Sequence, residues 1–184
     1  MPPARRSIRC RKRTPRSQPN NFREMKKQLM IVALAGSAAG VFAGDWTGFR
    51  GPLGNGLSDE VGLPVKLSAE KHVAWKTALP GKGLSSPLVV GDRVFVTASG
   101  GTRQDRLQIL CLNAADGSVI WKRQFWVMGS TMCHKKTSVA APTPVTDGKL
   151  LLAIFSSNAL FCRDLDGNRK WLRGLPVDYP NARK

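Results

Sequence analysis

An all-β fold assembled from β-propeller blades, each a four-stranded antiparallel sheet, is what this sequence predicts, and three observations carry the prediction. The stretch from Ser85 to Phe125 is repeated by the stretch from Ala141 to Leu175. Each opens on a proline after a small residue (Ser86-Pro87, Ala141-Pro142) and runs through apolar segments broken by Gly91-Asp92 or Asp147-Gly148. Each closes on Asp-Gly, three residues and a tryptophan: Asp116-Gly117 then Trp121, Asp166-Gly167 then Trp171. Trp75, Trp121 and Trp171 stand 46 and 50 residues apart. That spacing, with three or four short strands per unit, is the signature of a propeller or another repeat array. The reading is two to three blades of an incomplete propeller, the clearest at about 73–125 and 141–175.

Taken in chain order, Gly44 to Leu57 is a lead-in loop, because the glycines and Pro52 between Gly48 and Gly56 forbid a helix or a long strand. Trp46 and Phe49 are expected to plug into the first blade. Val73–Thr77 alternates with a period of two and is predicted as a short strand. The first blade then has strands at Leu88–Val90, Arg93–Ala98, Leu107–Leu112 and Val119–Phe125. The turn Ala114-Ala115-Asp116-Gly117 suits a hairpin, Asp bonding its own backbone and Gly supplying positive φ. The second blade has strands near Val145, then at Leu150–Phe155, Leu160–Asp164 and Lys170–Leu172. Val127 to Thr137, between the repeats, is irregular.

Charge divides the chain. Ten of its 29 Lys/Arg residues lie within residues 1–27 beside a single acid, Glu24, and the formal net charge is +17. Beyond that segment no basic run exceeds a pair, so the body shows no clustered patch for nucleic acid, and none is expected as a partner. Lys26-Lys27, the apolar stretch Leu29–Phe42 and the small residues up to Ala43 read as a cleaved signal peptide over residues 25–43. The apolar stretch is too short for a comfortable span, which takes about 20 residues. Export to the periplasm or the extracellular space follows, without a transmembrane anchor after cleavage. Residues 1–24 are a basic disordered extension, or upstream reading from a misplaced start with Met25 the true one. An organelle transit sequence and a nucleic-acid-binding arm are the competing readings. Both leave the apolar segment without a role.

Four cysteines are present. Cys10 leaves with the leader, and Cys111 and Cys162 sit in apolar strands. There they read as small buried hydrophobes, with a Cys111–Cys162 bridge as the alternative.

In its order of motifs the chain resembles the bacterial exported PQQ-like (pyrroloquinoline-quinone-type) β-propeller repeat proteins of the quinoprotein alcohol dehydrogenase-like superfamily. It is similar also to the β-propeller of outer-membrane assembly. The residues that carry the resemblance are Asp45-Trp46, Phe49-Arg50-Gly51-Pro52, Gly54-Asn55-Gly56, Val73-Ala74-Trp75-Lys76-Thr77, Ser85-Ser86-Pro87 through Phe95, His134-Lys135-Lys136, and Ala141 through Gly148. Leu112-Asn113-Ala114-Ala115-Asp116-Gly117 with Trp121 is similar to the tryptophan-docking motif of quinoprotein dehydrogenases, with Asp-Gly where Thr-Gly is usual. The resemblance covers essentially residues 45–175. It implies a binding or scaffold module in the cell envelope with envelope proteins as partners, or alternatively a fragment of a quinone-dependent dehydrogenase. Such propellers usually close with seven or eight blades of about 45 residues each. The expectation is therefore a truncated or frameshifted product, the alternative being several copies assembled into a ring.

Candidate chemistry is thin. Cys133-His134 could be a nucleophile with its base or a pair of metal ligands, yet neighbours on one loop rarely point at one centre. Asp116, Asp147 and Asp166 each stand beside Gly as turn residues. Asp164, Asp166 and Asn168 alternate as calcium ligands do but lack the distal bidentate Glu. Trp75, Trp121 and Trp171 read as inter-blade packing, and no two cysteines are adjacent as in quinoprotein dehydrogenases. Gly81-Lys82-Gly83 and Gly100-Gly101 are too short to cradle phosphate. No catalytic or metal residue is assigned. No cofactor is expected, quinone with calcium entering only under the dehydrogenase alternative.

Overall fold

Eight strands in two sheets carry the chain, as given by a computed structural model that describes residues 44–68 and 70–180. The leader segments read from the sequence, residues 1–24 and 25–43, lie outside the described residues. The first sheet holds β1 (Leu88–Val90), β2 (Arg93–Gly100), β3 (Arg106–Asn113) and β4 (Val119–Trp126), antiparallel in that order. The second holds β5 (Val145–Thr146), β6 (Leu150–Ile154), β7 (Ala159–Asp164) and β8 (Arg169–Gly174) in the same up-and-down order. One helical turn, α1 (Leu175–Asp178), follows with Pro176 in its first turn, where a missing N–H costs nothing. These are two blades of a β-propeller, the fold class the repeats predict.

The two sheets share a register detail. Cys111 lies opposite Trp121 and Cys162 opposite Trp171, and in both sheets the pairing slips immediately after the cysteine. A bulge at that place bends the strand and re-aims its neighbour. Here it stands beside the closing tryptophan, Trp121 in one sheet and Trp171 in the other.

Between the sheets lies the main core. Leu88, Phe95, Leu107, Ile109, Cys111 and Trp121 meet Leu151, Ala153, Phe155, Ala159 and Phe161, with Val139 and Ala140 of the connection sealed in. Phe125 stacks on Phe161 with centroids 3.9 Å apart, and Phe155 stands edge-on to Phe161 at 5.7 Å. A smaller cluster of Val94, Ala98, Leu110 and Leu112 fills the opposite face of the first sheet, covered in part by Trp75.

Two expectations need correction. Val73–Thr77 is extended but forms no strand. Its alternation is real, yet a strand is defined by its ladder, and the segment is held by side chains instead. Phe49 is 66% exposed and plugs nothing. Trp46 does dock, exchanging backbone bonds of 2.8 and 3.0 Å with Val89, while Asp45 Oδ1 accepts from Gly91 N–H. Thr47 O also accepts from Thr146 N–H, so the lead-in peptide crosses from β1 to β5. Cys111 and Cys162 are free and buried, as their place in apolar strands implied. Cys111 faces the second sheet, whereas pleating turns Cys162 away from the face that Phe161 presents to the first.

Burial pushes the Cys111 thiol up to about 11, which suppresses its thiolate at neutral pH. Alkylation of the native protein at pH 8 is therefore expected to spare Cys111 and Cys162 and to reach them only in denaturant. Peptide mapping after iodoacetamide labelling checks this.

Candidate functional site: the joint between the blades

The chemistry-bearing residues gather where one sheet meets the next. At the end of β3 the Asn113–Gly117 turn closes on itself. Asn113 Oδ1 accepts from Ala115 N–H and Asp116 Oδ1 from Ser118 N–H, each at 2.8 Å, while Gly117 N–H donates to Asn113 O. The equivalent turn after β7 does the same with Asp164, whose carboxylate accepts from the Asn168 backbone N–H at 2.8 Å and side-chain amide at 3.1 Å. Turning inward uses up the polar side chains and leaves main-chain carbonyls pointing outward.

Those carbonyls receive the tryptophans. Trp75 Nε1 donates to Ala114 O at 2.8 Å, and Trp121 Nε1 donates to Leu165 O at 2.9 Å. Each ring lies against the turn glycine. Gly167 has φ +80°, and a Cβ there would stand 2.8 Å from the Trp121 ring. Only glycine offers both the left-handed backbone and the space.

A residue two places on completes each grip. Thr77 Oγ1 donates to Gly117 O at 2.6 Å. Arg123 Nε donates to Gly167 O at 3.0 Å, with its guanidinium 5.3 Å from the Trp121 ring centroid. Arg93 ties the joint from the other side, its Nη1 donating to Leu165 O at 2.9 Å and to Asp166 Oδ1 at 2.7 Å. Arg163 is only 7% exposed; it donates to Gly167 O at 2.7 Å and lies over Phe125. Burial, then Arg123 and Arg169, hold its pKa down.

Each residue weighed from the sequence can now be placed. Asp116 is held below the ordinary carboxylate range by the Ser118 side chain first and the Ser118 N–H second, and Asp147 by the N–H groups of Leu150 and Lys149. Asp164 holds Asn168 and also Lys170 at 3.1 Å, while Asp166 is turned onto Arg93. Of the calcium-like trio, Asp164 and Asn168 bond each other while Asp166 is turned away, and no group of three His, Cys, Asp or Glu among the described residues could hold a metal. Cys133 accepts from Gln104 Nε2 at 3.5 Å, whereas His134 Nδ1 accepts from Lys136 N–H. The two side chains serve separate turns. Gly81-Lys82-Gly83 lies along β2, where Lys82 exchanges backbone bonds with Ser99.

Trp75 and Trp121 were legible as docking residues, whereas Trp171, read the same way, is 40% exposed and docks on no turn among the described residues; the arginines were not legible. Trp121-Lys122-Arg123 and Trp171-Leu172-Arg173 repeat a Trp-x-Arg pattern that aligning the two units would have exposed. Gln104 carried no such signal. Its Oε1 accepts from Ser99 Oγ and Val139 N–H, fastening the connection between the sheets.

The Asp164 carboxyl sits at about 2 against an ordinary 3.8, first because of the Asn168 backbone N–H and then its side chain and Lys170. A depressed folded value means that this turn's contribution is present above pH 3.8 and is lost as pH falls through about 2. Asp164→Asn is expected to flatten the acid limb of stability between those values. Carboxyl-carbon NMR titration and acid unfolding measure it.

With its repeated sheets and tryptophan-to-turn joints, the molecule is a β-propeller repeat protein. Residues 57–180 match the family described as outer membrane protein assembly factor BamB, and the chain belongs to that family. Among solved structures it is similar to the crystal structure of BamB from Moraxella catarrhalis, with 20% identity and a TM-score of 0.42. That match covers 54% of this chain and spans 27% of the Moraxella chain. No curated protein sequence matches it.

Proposed function

We propose that this chain is an exported β-propeller module that acts in the cell envelope as a binding or scaffold unit, without chemistry of its own. What carries the reading is how the polar side chains of the repeats are spent. Asp116, Asp147, Asp164 and Asp166, the docked tryptophans and Arg93 and Arg123 all serve turns or the joint between sheets. A site for catalysis would require such groups to converge on open space instead. The family's description names outer-membrane protein assembly, which supports the cell envelope as the setting, and envelope proteins are the partner class this reading proposes. The export signal read at residues 25–43 agrees with that setting.

The test is the N-terminal residue and location of the native protein in its own cells. A periplasmic species beginning at Gly44 supports the proposal; a cytoplasmic species retaining residues 1–43 overturns it. Titration with pyrroloquinoline quinone and Ca²⁺ is expected to give no bound chromophore. A stable spectral shift would favour the dehydrogenase reading instead.

A further inference from the structure

The lead-in peptide folds back on itself. Gly51, at φ +81°, lies so close to the Trp46 ring that a Cβ there would stand 2.8 Å from it, so the loop wraps the indole. Gly56 N–H donates to Arg50 O at 2.8 Å, and the Arg50 guanidinium is turned onto Asn55 O at 3.1 Å. The two ends of the loop then meet, Gly44 N donating to Glu60 Oε1 at 2.6 Å. A hollow of about 220 Å³ lies beside that contact, and Asp45, Asp59 and Glu60 line it without a lysine or arginine. Among the described residues none of these three carboxylates has a Lys or Arg within ion-pair distance. The hollow is short of positive charge.

We propose that proteolytic processing supplies it: removal of the leader leaves the α-ammonium of Gly44 paired with Glu60, which fastens the lead-in peptide to both sheets. The pairing rests on the cleavage read after Ala43. Hydrolysis of the Ala43–Gly44 bond takes up one water and leaves a carboxylate on Ala43. The proton released by that carboxyl goes to the new Gly44 amine, which ordinarily titrates at about 7.7–8.0 and so is charged at neutral pH. In the uncleaved chain the same nitrogen is a neutral amide. Processing therefore adds the attraction of opposite charges to a hydrogen bond already in place. The next three residues carry the effect onward. Asp45 Oδ1 accepts from Gly91 N–H, Trp46 exchanges bonds with Val89 of β1, and Thr47 O accepts from Thr146 N–H of β5. The clasp thus tightens beside the contacts that join one sheet to the other, and it does so once the leader is gone.

Hydrogen exchange at the Trp46 and Gly56 amides, compared between the full chain and the exported, processed protein, tests this. The processed protein is expected to exchange there roughly two- to fivefold more slowly at low ionic strength, the range of an exposed ion pair. The difference should shrink in 1 M salt, where charges are screened within about 3 Å. Glu60→Gln keeps an acceptor but no charge, and is expected to abolish the difference while leaving exchange in β2 and β3 unchanged. Equal exchange in the two proteins, or a Glu60→Gln variant that behaves like the wild type, overturns the proposal. Sequencing the native N-terminus separates the two ways it can fail. A start other than Gly44 overturns it together with the cleavage reading, whereas a Gly44 start with unchanged exchange overturns the ion pair alone.

Discussion

Trp121→Ala is expected to cost about 3–5 kcal/mol of folding stability, the range for truncating a large buried aromatic side chain. The corresponding fall in Tm is roughly 10 °C for a chain of this size. The indole is 8% exposed, packs against Phe95 at 5.9 Å, supports Arg123 and donates to Leu165 O. Removing it opens a cavity between the sheets and strips one donor from a carbonyl. Trp171→Ala is the internal control. The same residue at the same register position, half-exposed and undocked, should change stability by no more than about 0.5 kcal/mol. Thermal unfolding of both variants measures the contrast. Equal losses would show that the tryptophans stabilise their own sheets and not the joint.

Phe161→Ala is the second large effect, again about 3–5 kcal/mol. Phe161 is almost fully buried, stacked on Phe125 and edge-on to Phe155, so it touches both sheets at once. The stacked pair should show its own coupling. A double-mutant cycle of Phe161→Ala with Phe125→Ala is expected to give about 0.5–1.5 kcal/mol beyond the burial of each ring. Urea unfolding of the four proteins supplies the cycle. A coupling near zero would mean that the rings fill space independently.

The sequence was most legible where structure is local. Hairpin turns such as Asn113–Gly117 declare themselves through Asp and Gly side by side, because both the hydrogen bond and the positive φ are satisfied within a few residues. The strands of both blades follow from the apolar runs those turns separate. Val73–Thr77 misled for the same reason. Its alternation records which side chains face inward, and nothing in five residues says whether a neighbouring backbone is within reach. The joint was half legible. A tryptophan recurring beside a turn advertises itself, but Arg93 finds Asp166 across 73 residues and Arg123 finds Gly167 across 44. Such pairs depend on how two sheets are set against each other. No local pattern encodes that setting, although the recurrence of Trp-x-Arg came close.

The joint reads its neighbour through peptide groups. Ala114 and Leu165 offer the same oxygen to an indole despite unlike side chains, and the guanidinium of Arg123 settles on the oxygens of Gly167 and Asp166. What is demanded of the next unit is therefore a backbone shape, with one glycine to let the ring approach, and almost nothing of its chemical identity. Units joined in this way can drift apart in sequence, or be duplicated and reshuffled as whole cassettes, while the grammar of the junction survives.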